Sequence, residues 1–222
     1  MMENLSIVPI LLFSVIVHEI AHGWTAMKLG DPTAKEMGRL TLNPLPHIDL
    51  FGSIIFPLMS LAAAGTVFLA WAKPVPVNPG NFSRPRRDDM IVSFAGPASN
   101  ILMAGFCAVA FIVTTIIARQ VNSADSPLIT NASVFVMTMF YGGVYLNIIL
   151  AVFNLIPIPP LDGSHILASF LPPQAAIAYR RIGFLGIIAI LFLMRVPAVA
   201  RAFHDAVMFL ASPLEHFMGG AL

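Results

Sequence analysis

Two imidazoles and a carboxylate stand inside an apolar run, Val15-Ile16-Val17-His18-Glu19-Ile20-Ala21-His22-Gly23-Trp24. From Ile7 to Val17 the only polar side chain is Ser14. Such a run reads as a membrane-embedded helix, where ionisable groups are costly to bury and mark sites. His18 and His22 are four apart, so on a helix they project from one face about a turn apart, the separation that lets two ring nitrogens bind one zinc ion. Glu19 sits beside them, placed to take a proton from water activated by the metal. The plainer alternative is a pair of buried histidines bonded to neighbouring carbonyls, with Glu19 held neutral.

Composition supports the membrane reading. In 222 residues, 58% are hydrophobic and only 10% charged, and the mean hydropathy is +0.85, outside the range of ordinary soluble domains. The net charge of +1 gives no basis for nucleic-acid binding. Cys107, the sole cysteine, permits no intrachain disulfide and is expected to be a small packed residue. The N-terminus lacks a basic region before its apolar run and a small-residue cleavage site, so a retained helix is expected rather than a removed signal peptide.

The expected fold is an all-α polytopic membrane protein of about five membrane segments, forming one domain over residues 1–222. The first segment, Leu5 to Leu29, is long enough to span a ~30 Å hydrocarbon layer and ends at Gly30-Asp31-Pro32. The alternating run Gly38-Arg39-Leu40-Thr41-Leu42 reads as a short strand or extended loop, as does Pro74 to Asn78, near the cytoplasmic face. Leu50 to Trp71 is apolar but carries Pro57 and Gly65, and basic residues flank it on both sides. A single crossing would put Lys28, Lys35 and Arg39 on the opposite face from Lys73, Arg84, Arg86 and Arg87, against the positive-inside tendency. A re-entrant hairpin is therefore expected there. Further segments are expected over Met90–Ala118, Ser133–Ile158 and Ile182–Ala200, with Arg201–Leu222 an interfacial or partly inserted amphipathic helix.

With the N-terminus outside, nine of the twelve Lys and Arg residues fall on the cytoplasmic side. The thirteen residues from Leu5 to Val17 then rise ~20 Å from the outer surface, which leaves the two histidines in the inner third of the bilayer. A catalytic zinc keeps three protein ligands and one open position. Candidates for the third are Asp162, His165, Glu36, Asp49 and His47. Depth favours Asp162, which follows the proline cluster at 157–160, and His165 is the competitor.

The combination of His18-Glu19-Ile20-Ala21-His22 with Asn154-Leu155-Ile156-Pro157 and Leu161-Asp162-Gly163 resembles the site-2 protease family of intramembrane zinc metalloproteases. Gly96-Pro97-Ala98-Ser99-Asn100 matches a further signature of that family, whose small residues also suit close helix packing, with Asn100 able to bond across the contact. The resemblance spans residues 5 to 170, with C-terminal helices following from 182. It implies that His18, His22 and Asp162 bind one Zn2+, that Glu19 is general base and acid, and that Asn154 bonds the substrate backbone. An amide bonding its own helix is the alternative for Asn154. The implied partners are a transmembrane-helix protein substrate and the lipid bilayer, and the implied location a bacterial or archaeal cell membrane with the active site towards the cytoplasm. Family members often carry an inserted or appended regulatory domain, for which these 222 residues leave no room. The competing reading is a metal-ion or solute transporter using the His/Asp site as a binding station. No inverted repeat is visible, and Glu19 has no task in a purely ligating site. A catalytically silent scaffold is disfavoured by the intact ligand set.

Overall fold

A computed structural model describes residues 2–55, 58, 59, 62, 72–120, 127–183 and 185–220. Among the described residues the chain is helical, with no strand. The first helix, α1 (Met2–Lys28), takes up the apolar run with the two histidines. Its end is set by Gly30, whose φ of 108° is a left-handed conformation suited to glycine. That turn lets Asp31 N–H donate to Ala26 O at 2.9 Å and Gly30 N–H to Met27 O at 3.3 Å, so two carbonyls of the last turn are satisfied. A single turn, α2 (Thr33–Glu36), follows.

The long helix α3 (Pro85–Gln120) begins on proline, which has no N–H to leave unpaired at a first turn. Helix α4 (Pro127–Asn154) stops four residues short of the Ile158 expected from hydropathy. Pro157 cannot donate to the carbonyl of Phe153 and disfavours helical backbone at Ile156, so the apolar run outlasts the helix. Four shorter or peripheral helices follow: α5 (Asp162–Phe170), α6 (Pro173–Arg180), α7 (Leu185–Leu193) and α8 (Pro197–Gly219). The continuous segment expected over Ile182–Ala200 is thus corrected to two helices. Pro197 has no N–H for the Leu193 carbonyl, and the chain turns through Met194–Val196 before α8 begins.

Among the described residues, three helices are long and apolar enough to cross a membrane: Ser6–Lys28 within α1, Pro85–Gln120, and Leu128–Asn154 within α4. The bent pair α6 and α7, at 81°, makes a fourth span if it crosses as one. The hairpin expected over Leu50–Trp71 lies for the most part outside the described residues. Of the stretches read as extended, 38–42 runs through bends and 74–78 is irregular chain; neither forms a ladder.

The core gathers where α1, α3 and α4 meet. Ile10, Met103, Ala104, Cys107, Ala108, Phe111, Val144 and Ile148 are buried together, and α8 closes one side with Val207, Ala211 and Met218. Cys107 is fully buried, and a side-chain carbon added at Gly143 would press on its sulfur and on Ile10 at 2.9 Å. Small residues here let the helices approach closely, the contact that drives association where lipid removes the hydrophobic incentive. The outward faces carry Leu102, Phe106, Val113 and Ile117, all exposed and apolar, as a lipid-facing surface requires.

Candidate metal centre

His18 and His22 sit on the face of α1 that packs against α3, 7% and 9% exposed respectively. Their outer ring nitrogens are both occupied. His22 Nδ1 lies 2.7 Å from the carbonyl of Val92, which can only accept, so Nδ1 carries the proton. His18 Nδ1 lies 2.6 Å from Oδ1 of Asn100. Both Nε2 atoms therefore turn to one point, 3.0 Å apart. Asp162, the first residue of α5, reaches the same point, its oxygens 3.2 Å from His18 Nε2 and 3.4 Å from His22 Nε2.

This triangle fits a zinc ion. Ligands at ~2.0–2.1 Å in tetrahedral array stand ~3.3 Å from one another, close to the 3.0, 3.2 and 3.4 Å edges observed. With both Nδ1 atoms protonated, two imidazole lone pairs face each other at 3.0 Å, an arrangement that a cation relieves. Asp162 Oδ2 is a buried atom with no hydrogen-bond donor. Among the described residues His18, His22 and Asp162 form the one group of three such ligands.

Gly96 of α3 makes room for the rings. A side-chain carbon there would collide with His22 Nε2 and with the ring carbons of both histidines. Gly163 does the same for the carboxylate, because a side chain there would strike the carbonyls of Leu155 and Ile156. Asp162 is thereby held against the turn that follows α4.

Glu19 points beside the triangle and does not join it. Its Oε2 accepts from the backbone N–H of Val75 at 2.7 Å. The segment carrying Val75 is anchored at both ends. Lys73 N–H donates to His47 O at 2.9 Å, Arg39 Nη2 donates to Lys73 O at 2.7 Å, and Asn78 N–H donates to Asp31 Oδ2 at 2.6 Å. Asp31, fully buried, also accepts from Thr33 and Asn81. Burial pushes its carboxyl up, but the donors from Thr33, Asn78 and Asn81 more than offset that and hold it below the usual carboxylate range.

The remaining candidates stand outside the triangle. His165 Nδ1 faces Asp89 Oδ2 at 3.3 Å, and Arg180 Nη2 donates to the same oxygen at 2.7 Å. His47 Nε2 is 2.9 Å from Thr41 O, Asp49 accepts from the N–H groups of Phe51 and Gly52, and Glu36 is exposed. Asn154 donates from Nδ2 to Leu150 O at 2.9 Å, bonding its own helix. A cavity of about 590 Å³ opens over the triangle, bordered by Glu19, Pro74, Val75, Phe153, Asn154, His165 and Ile190 among others. It is apolar with a few convergent polar groups, as binding sites are. Sequence reasoning missed Val75, whose N–H carries no sequence signal, and Asn147, which a lone amide in the apolar run Val144–Leu150 could have flagged.

The profile of Peptidase family M50 matches residues 6–194. YwhC of Bacillus subtilis, described by its name as a candidate zinc metalloprotease, is 36% identical over 197 residues, covering 87% of this chain and 83% of its own length. Rip2 of Mycolicibacterium smegmatis, described in the same terms, is 28% identical over 200 residues, covering 88% of this chain and 69% of its own length. Rip2 of Mycobacterium tuberculosis strain H37Rv is 27% identical over 216 residues, 95% of this chain and 75% of its own. No solved structure is significantly similar.

Proposed function

The chain belongs to peptidase family M50, and on that premise we propose that it is an intramembrane zinc metalloprotease, hydrolysing peptide bonds within or next to the transmembrane segments of other membrane proteins. The observation that carries this is the convergence of His18, His22 and Asp162 on one point with the Glu19 carboxylate beside it and outside the ligand set. Zinc, when bound, supplies Lewis acidity that activates water and polarises a peptide carbonyl. His18 and His22 offer neutral lone pairs and Asp162 a negative charge. Glu19 accepts the proton of the attacking water and returns it to the leaving amine, a role that needs a carboxylate not consumed by the metal. The Val75 N–H holds that carboxylate in one orientation.

A helical substrate hides its carbonyls in its own hydrogen bonds and has to unwind locally. The irregular stretch 72–78 bordering the cavity gives it backbone to pair with. In this reading Asn154 exchanges its bond to Leu150 for one to the substrate backbone.

The same reading places the N-terminus outside and the active site towards the cytoplasm, with residues 50–71 as a re-entrant hairpin. Its support is that the flanks of that stretch are bonded to each other, Arg39 and His47 to Lys73, so the chain leaves and returns at one place. Cysteines introduced at Pro46 and Arg84 and labelled from one side of sealed vesicles are expected to react together, from the cytoplasmic face. Labelling from opposite faces would establish a single crossing.

The function itself is tested by metal removal. The purified protein is expected to carry one zinc per chain and to cleave a single-span membrane protein presented in the same bilayer. Chelation should abolish cleavage, and stoichiometric zinc should restore it. Cleavage that persists in metal-free protein would overturn the proposal.

A further inference from the structure

Both histidines need their protons on Nδ1 if Nε2 is to face the metal, and only one of them obtains that from a backbone carbonyl directly. His22 faces Val92 O. His18 faces Asn100, whose amide has a donor end and an acceptor end and could present either. The choice is made further away. Asn100 Nδ2 lies 3.0 Å from Asn147 Oδ1, and Asn147 Nδ2 lies 2.8 Å from the carbonyl of Gly143. Both asparagines are fully buried.

A carbonyl only accepts, so Asn147 gives it its NH2 and turns Oδ1 to Asn100. Asn100 then turns its own NH2 to Asn147 and its Oδ1 to His18. His18 in turn carries its proton on Nδ1 and leaves Nε2 bare. Reversing any link sets two acceptors or two donors against each other in a buried site. We propose that Asn100 and Asn147 are positioning residues that transmit the polarity of the Gly143 carbonyl on α4, through α3, to the ring of His18 on α1, and so fix the tautomer able to ligate metal. This rests on the reading of the triangle as a zinc site.

The test is zinc affinity, measured by chelator competition on the full chain, with no reference to cleavage. In Asn147→Leu the orienting partner is lost, and Asn100 is free to turn its NH2 to His18 and favour the tautomer that cannot ligate. Zinc affinity is expected to fall about 10–100-fold, the usual effect of losing a group that orients a metal ligand. Adding Asn100→Asp to that variant should bring affinity back close to wild type, because a carboxylate has no donor end and accepts from Nδ1–H whichever way it turns. Packing alone predicts the opposite, a double variant weaker than the single one. Thr115→Val, which removes a buried hydroxyl bonded to Phe111 O on the same helix, should leave affinity unchanged.

If Asn147→Leu does not accumulate, the same comparison is made with Asn147→Ala, alone and with Asn100→Asp, and the same fall and recovery are expected. Wild-type affinity in Asn147→Leu, or no recovery in the double variant, would overturn the relay while leaving the zinc site standing. Wild-type protein that binds no zinc would overturn both.

Discussion

Glu19→Gln is expected to leave zinc content close to wild type and to lower cleavage of a single-span membrane substrate by on the order of 10²–10⁴. Glutamine is nearly isosteric, and its amide oxygen can still accept from the Val75 N–H, which the carboxylate now does at 2.7 Å. The proposed metal ligands are separate side chains, so the change removes a proton acceptor and little else. The outcome also separates the two function classes raised by the sequence. A transporter would depend on His18, His22 and Asp162, yet would yield no peptide-bond product from any variant or from wild type. Cleavage by Glu19→Gln at the wild-type rate would mean that another group takes the proton, and the mechanism would have to be abandoned.

Asp162→Ala should lose both stoichiometric zinc and activity, whereas His165→Ala should keep its zinc. Removing Asp162 takes away the one charged ligand and leaves two neutral nitrogens to hold a dication, in a site where both rings are buried. His165 lies three residues further along α5 and is spent on Asp89, with Arg180 on the same oxygen. Metal analysis of the two purified variants decides between them. Full zinc in Asp162→Ala together with loss in His165→Ala would reverse the assignment of the third ligand.

Much of this architecture could be read before any coordinates. Apolar runs bounded by Gly30 and by the prolines at 157–160 mark α1 and α4, because glycine and proline act on the backbone locally. That His18 and His22 share a face follows from helical spacing alone. The choice between Asp162 and His165 could not be read so directly, since it depends on where α5 begins relative to α1, a matter of tertiary placement. The break at Met194–Val196 was hidden because hydropathy is blind to a missing N–H at Pro197. The motif around Gly96 reads in sequence as plain helix packing; in the structure what packs against Gly96 is the pair of imidazoles. Arg39 reads as a loop charge on a wet surface, yet it is buried, 6% exposed, and donates to Lys73 O.

The segment that covers Glu19 has a further property. Between Lys73 and Val77 the residues are Pro74, Val75 and Pro76. Two of the three have no backbone N–H, and the third is already committed to the Glu19 carboxylate. Along this stretch the protein presents a border of acceptors without a free donor. On the proposed pairing, an unwound substrate laid against it would have to contribute the hydrogens itself, so a proline in register with the border would lose that pairing.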